Sequence, residues 1–200
     1  MPTFKKELMK KNINTPGLLA VDFSNFPDLS TKRLILRCIN RNDAAALLFL
    51  RSDPQVLAYL DKAPMETLEQ AEVFIGNILE NLQKNDAVFW VIALKENPGL
   101  MIGNICYWRI MKEHYRAEIG YMLQPASWNK GIMKEALQEV IRYGFQEMKL
   151  HSIEANINPD NVASQILLEK TGFIREGYFR ENYYSEGKFT DSAIYSLLNK

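Results

Sequence analysis

The sequence predicts one α/β domain of the α+β kind, built on a central mixed, mostly antiparallel β-sheet flanked by helices. Three observations predict it. Strand-like segments at 87–94, 100–110 and 116–123 follow one another through short connections, one of them the turn Asn97-Pro98-Gly99, which describes an antiparallel meander. A strand, a long helix and another strand then span 116–157, an order that requires a crossover helix and parallel pairing. Finally, 200 residues, 47% hydrophobic and 24% charged, suit a single well-cored domain.

Taken in order, residues 1–30 mix a short basic amphipathic piece with turn formers at Thr15-Pro16-Gly17 and Phe26-Pro27-Asp28. They read as a loosely attached arm, leaving 31–200 as the domain. "RLILRCI" (33–39) is a first strand, and "NDAAALLFLRS" (42–52) is a helix with an Asn/Asp start and Pro54 after its end. In "TLEQAEVFIGNILENLQK", Thr67 and Gln70 have capping-box spacing, and Ala71, Phe74, Ile75, Ile78, Leu79 and Leu82 share one helical face. The three meander strands follow. From Met133 the apolar residues Ala136, Leu137, Val140, Ile141, Gly144, Phe145 and Met148 step by three and four, which gives a second amphipathic helix. "HSIEANINP" (151–159) is a strand, 161–172 a short helix ended by Gly172, and "FIREGYFR" and "DSAIYSLL" a final strand pair.

Composition excludes some function classes. Lys plus Arg (24) balance Asp plus Glu (24), so no net field favours nucleic acid or an anionic membrane. Neither is an expected partner. Two cysteines, Cys38 and Cys106, lie in apolar strand-like surroundings and make no disulfide framework; they suit a reducing cytoplasm. The N-terminus lacks a continuous hydrophobic core of signal-peptide length, and no apolar run is long enough for a bilayer, so a soluble, unexported protein is expected. Two histidines, His114 and His151, are too scattered for a metal site, and none is expected.

The segment "QPASWNKGIMKEAL" (124–137) raises a chemical question at the start of its helix. A helix N-terminus presents unpaired N–H groups and partial positive charge, which favour a phosphate or carboxylate. Gly131 permits close approach, Lys130 adds a cation, and only Ser127 or Asn129 offers a cap. A plain strand-to-helix turn capped by Asn129 fits the same residues. The dinucleotide and phosphate-loop glycine patterns are both absent.

Read together, "EIGYML", "WNKGIMKEAL", "NINPDNVASQILLEKTGF" and the opening "FPDLSTKRLILRCINRNDAAALLFL" resemble the GNAT superfamily of N-acetyltransferases. Within it, they resemble the branch that acetylates N-terminal amines of ribosomal proteins. The resemblance covers roughly residues 30–198. It implies a splayed sheet that holds acetyl-CoA as a substrate, with no metal. The family's pyrophosphate motif falls on Trp128, Asn129, Lys130, Gly131, Ile132 and Met133, of which only the central glycine is kept; backbone amides do the binding in the family. The strand edge at Tyr121, Met122 and Leu123 is implied to pair with the pantetheine arm. Asn161 is implied to hold the pantetheine and Ser164 to face the sulfur. Many relatives carry a tyrosine acid just before "EK-x-GF", and this chain has Leu168 there.

Acetyl transfer to an amine needs a proton acceptor for the amine and a proton donor for the departing thiolate. Glu118 is the first candidate base, although a solvent-facing strand glutamate in a salt bridge fits equally. Ser164 is the candidate acid, and a neutral helix residue its alternative. Glu113 and His114 read as a solvated turn. The acceptor expected from the resemblance is a protein N-terminus; a polyamine, an aminoglycoside-like amine, or a noncatalytic acyl-CoA sensor are the alternatives. Ser164 in "VASQI" does not form the elbow of an acyl-serine hydrolase. A monomer and a homodimer both fit.

Overall fold

A computed structural model describes residues 17–60, 62–185 and 187–200. Within them the apolar runs form β1 (Leu29–Ser30), β2 (Leu34–Cys38), β3 (Val88–Leu94), β4 (Gly103–Met111), β5 (Arg116–Leu123), β6 (Ser152–Ile157), β7 (Ile174–Ser185) and β8 (Lys188–Leu198). The helices are α1 (Ala44–Leu50), α2 (Pro54–Leu57), α3 (Leu68–Gln83), α4 (Ile132–Gln146) and α5 (Val162–Lys170). One eight-stranded sheet has the order β1-β2-β3-β4-β5-β6-β8-β7. Neighbours are antiparallel except β5 and β6, which run parallel around the α4 crossover.

Local sequence explains most boundaries. Thr67 accepts from the Gln70 amide while the Gln70 side chain answers the Thr67 amide, so α3 starts at the expected capping box. The helix expected over 42–52 divides into a 3₁₀ turn, Arg41–Asp43, and α1. The division falls at Asp43, whose carboxylate is held by Arg37 and by the Asn40 amide. Pro54 does more than follow a helix end: it opens α2 at its first position, capped by Asp53.

The sheet is covered on both faces. On one, α4 lays Ala136, Leu137 and Val140 over Trp90, Ile105 and Tyr107. The Tyr107 hydroxyl donates to the Val140 carbonyl at 2.9 Å, and a Cβ on Gly144 would lie 2.4 Å from that hydroxyl. Glycine there lets the helix close onto the strand. On the other face, Leu47 and Leu50 of α1 and Ala71 and Ile75 of α3 pack with Phe89, Val91 and Met101. Burying each large apolar side chain stabilises the fold by about 1.5–3 kcal/mol relative to exposing it.

Of the arm expected at 1–30, residues 1–16 lie outside the described residues. In the remainder, Leu19, Phe23 and Leu29 are buried in the α4-side core. The Leu19 amide donates to the Lys112 carbonyl at 3.0 Å, and the Trp90 indole donates to the Pro27 carbonyl at 2.8 Å. Among the described residues no helix is long and apolar enough to cross a membrane.

Candidate active site

The parallel pair is short. β5 and β6 share register only from Arg116↔Ser152 to Glu118↔Glu154. Beyond that point β5 continues to Leu123 beside β4, while β6 continues to Ile157 beside β8. The strands therefore part, and among the described residues the β5 edge from Ile119 to Leu123 has no strand opposite it on that side. This wedge lies in the middle of the sheet, between the two helical layers.

Strand alternation sends neighbouring side chains of β5 to opposite faces. Tyr121 follows Ala117 and Ile119 toward the α4 and α5 side, where its hydroxyl lies 2.6 Å from Ser164 Oγ. Ser164 is buried at 6% exposure, and its amide donates to Asn161 Oδ1 at 3.0 Å. Asn161 thus caps α5 with its oxygen and keeps its amide nitrogen for another partner. Burial pushes the Tyr121 phenol up to about 12, with the Ser164 hydrogen bond pulling the other way. A proton is firmly held in this pair at neutral pH. Leu168, at the place where the resemblance implies a tyrosine, is fully buried.

Glu118 projects to the α1 and α3 side. It is 7% exposed, so the solvated-glutamate reading does not hold. Arg109 Nη1 lies 3.9 Å from its carboxylate. Burial first, then the Glu154 charge, push the Glu118 carboxyl up to about 7, against the pull of Arg109 and Arg116. A carboxyl titrating there exchanges protons readily near neutrality. A bulge in β4 between Tyr107 and Arg109 brings both Trp108 and Arg109 to this face. Trp108 is half exposed and stands beside Gly120, where an added Cβ would meet its ring at 3.4 Å. By contrast, the side chains of Glu113 and His114 are exposed in their turn.

Past the end of β5, the chain enters the Gly131 turn. Asn129 and Gly131 both have positive φ (58° and 71°), and among the described residues no side chain caps α4. The helices α2, α3 and α5 are each capped by a side chain, so the first amides of α4 differ from theirs. Neither Ser127 nor Asn129 supplies the expected alternative cap; Ser127 Oγ instead accepts from Gln124 Nε2 at 3.1 Å. The turn is braced from behind. Trp128 Nε1 donates to the Leu123 carbonyl at 2.7 Å, and Arg33 donates to the Lys130 carbonyl at 2.9 Å and to Glu135 at 2.7 Å. Met122 and Met133 are half-buried, Leu123 and Ile132 are buried, and Lys130 is exposed.

A mixed sheet that parts between β5 and β6, with the α4 crossover between them, is the splayed fold that the resemblance implies. The family model for the acetyltransferase (GNAT) domain matches residues 33–174. The chain belongs to the GNAT acetyltransferase family. GNAT relatives include the uncharacterised N-acetyltransferase YoaA of Bacillus subtilis, 37% identical over 86% of this chain and 97% of that protein. A GNAT acetyltransferase structure from Bacillus anthracis is 30% identical, with a TM-score of 0.76 over 86% of this chain and 98% of that one. More distant relatives divide by substrate. The ribosomal protein uS5-alanine N-acetyltransferase of Escherichia coli is 26% identical over 87% of this chain and 93% of its own length. The spermidine N(1)-acetyltransferase of Vibrio cholerae is 25% identical over 84% and 95%.

As a GNAT member, the chain is an acetyl-CoA-dependent N-acetyltransferase. Three features of the site are not among those expected from the sequence. Tyr121 is expected there for its backbone edge, but the pairing of its hydroxyl with Ser164 is not, although period-2 alternation places its side chain with Ile119. The Arg33–Glu135 brace joins residues 102 apart, and the β4 bulge depends on pairing geometry; neither leaves a local signal.

Proposed function

We propose that the protein acetylates the N-terminal amine of a protein or peptide by direct transfer in a ternary complex. The carrying observation is the parting of β5 from β6 just past Glu118, with Glu118 on one face and the Tyr121–Ser164 pair on the other. In this reading the pyrophosphate of acetyl-CoA meets the amides of Gly131, Ile132 and Met133, with Trp128 and Asn129 shaping the turn and Lys130 adding charge. The pantetheine follows the edge at Tyr121, Met122 and Leu123, and Asn161 donates to it. The thioester then lies in the wedge.

The acceptor reaches the wedge from the α1 and α3 side. Glu118, directly or through a water, takes the proton that makes the amine nucleophilic. The amine nitrogen bonds to the thioester carbonyl carbon, the C–S bond breaks, and its electron pair leaves on sulfur. The Tyr121–Ser164 pair gives a proton to that sulfur, and the extra proton on the new amide nitrogen leaves to solvent, from which the pair is restored; the net change is one proton released through Glu118 as ammonium and thioester become amide and thiol.

Two features favour a peptide over a polyamine. Cations Arg109 and Arg116 stand around Glu118 and Glu154, so the face is not the acidic trough a polycation needs. The β7–β8 hairpin exposes Tyr178, Phe179, Tyr183, Tyr184 and Phe189, and Asn156 of diverging β6 donates to the Tyr183 hydroxyl at 2.9 Å, so this aromatic surface borders the wedge. The test follows free thiol with acetyl-CoA and peptides beginning with Ser, Ala or Thr, alongside spermidine and an aminoglycoside. Peptides are expected to lead in kcat/KM by at least about tenfold. A lead by spermidine would make this a polyamine enzyme, and acetyl-CoA binding without transfer to any amine would make it a sensor.

A further inference from the structure

The face that carries Glu118 also holds a cation that no carboxylate answers among the described residues. Arg51 caps the C-terminal end of α1. Its Nε is sealed from solvent without a hydrogen-bond partner, and its guanidinium lies 4.4 Å from the centre of the Phe74 ring. Arg37 shows what a structural arginine looks like on the same face. It holds Asp43 through two bonds of 2.7 and 2.8 Å and reaches the carbonyls of Cys38, Pro98 and Gly99. Arg51 has none of these. A half-buried guanidinium with a sealed Nε that has no partner among the described residues is unfavourable, so its retention points to a charge that arrives with a ligand.

Packing places this cation. Arg51 lies over Phe74, and Phe74 and Cys106 both pack against the apolar cluster that α1 and α3 form on this face. In keeping with that, the Arg51 charge pulls the Cys106 thiol down and the Glu118 charge pushes it up. Cys106 pairs with Gly120, two residues beyond Glu118 on the parting strand. Asn104, two residues before Cys106 and therefore on the same face, is 2% exposed and its Oδ1 also lacks a partner. A sealed donor and a buried acceptor on one face, both without a partner among the described residues, suit a ligand that carries a carboxylate and an N–H group. Burial also pulls the Arg51 guanidinium down, which an arriving anion would relieve.

We infer that Arg51 receives a carboxylate of the acceptor, so that the preferred acceptor carries an anionic group a few bonds from its reactive amine. The inference rests on the acetyl-transfer reading for the place of the amine, beside Glu118. The planar fork of arginine matches a carboxylate through two parallel bonds, whereas a polyamine brings only like charge to it. The carboxylate has two sources: the α-carboxylate of a free amino acid, or an acidic side chain near the start of a peptide.

Matched probes separate them. Alanine is compared with alaninamide, and peptides beginning Ala-Glu with those beginning Ala-Gln. Binding to the CoA-saturated protein is measured by calorimetry, and kcat/KM with acetyl-CoA by thiol release. In at least one pair the acidic member is expected to exceed its neutral partner by about ten- to hundredfold, the strength of a charge-assisted bond. Arg51→Met should bring that ratio close to one, and Arg51→Lys should keep part of it. Equal binding of acidic and neutral members to the unaltered protein would overturn the inference. So would an Arg51→Met variant that loses both members equally, since that marks a packing role. Should Arg51→Met fail to fold, the ratio in the unaltered protein and in Arg51→Lys decides. Acidic preference in binding without acetyl transfer would sink the enzymatic reading and leave the anion site standing; transfer without preference would do the reverse.

Discussion

Two side-chain clusters make separable predictions at the scale of the residue. Glu118 has a folded-state pKa raised from 4.5 to about 7, so between those values the folded protein holds a proton that the unfolded chain has lost. Stability from this group therefore falls as pH rises through that window and is level above it. If the same carboxylate is the base, kcat/KM rises over the same interval. Glu118→Gln is expected to lower kcat/KM at pH 8 by about a hundred- to ten-thousandfold, to remove the limb near pH 7, and to melt no lower than the parent at pH 8. A pH–rate profile beside thermal melts checks all three, and an intact limb near pH 7 assigns it to another group. On the opposite face, Tyr121 and Ser164 share one hydrogen bond of 2.6 Å. Tyr121→Phe and Ser164→Ala should each lower kcat by about ten- to ten-thousandfold with little change in CoA affinity. The double variant should be hardly worse than the poorer single, because the residues act as a unit. Additive losses would show that they act separately.

At the scale of the element, the start of α4 is the strongest case. Gly131 sits at φ 71°, where an L-residue is strained, yet an added Cβ would meet only Arg33 Nη2, at 3.6 Å. Gly131→Ala should cost about 1 kcal/mol of stability. Gly131→Asp adds a negative charge at the amides and should weaken acetyl-CoA binding by more than about a hundredfold in calorimetry while the fold survives. Unchanged affinity would remove the pyrophosphate from this turn. How legible such elements are depends on how local their causes are. The α3 capping box, the α4 periodicity and the β5–α4–β6 crossover are written in neighbouring residues, so their type and order follow from sequence. The glycine was legible too, but the reason the turn holds its shape was not. Arg33 and Glu135 come together only after β2 and α4 pack, and Trp128 reaches back to Leu123 through a 3₁₀ turn. Likewise β7 and β8 extend past "FIREGYFR" and "DSAIYSLL", because the tyrosine-rich segment 177–191 pairs as a hairpin, Tyr183 with Thr190 and Tyr184 with Phe189.

Over the whole molecule the sheet acts as a partition. The helix start that suits a pyrophosphate, the Tyr121–Ser164 pair and Asn161 are reached from the α4 and α5 side, while Glu118, Trp108, Arg109 and Arg51 are reached from the α1 and α3 side. In the proposed reading the substrates approach from opposite faces and need not take turns at one surface. They meet only where β5 and β6 part, which favours simultaneous occupancy over a covalent relay. The two thiols agree with this arrangement: burial pushes Cys106 up to about 12 and raises Cys38, so neither is an available thiolate nucleophile. Initial rates at varied acetyl-CoA and amine are therefore expected to give intersecting double-reciprocal lines, and mixing with acetyl-CoA alone should release no stoichiometric burst of CoA. Parallel lines together with such a burst would establish an acetyl-enzyme and a ping-pong route. The burst separates the cases even where a cysteine substitution perturbs packing, because it is read on the unaltered protein, and mass spectrometry of that reaction would then place the acetyl group on Cys38, Cys106 or another residue.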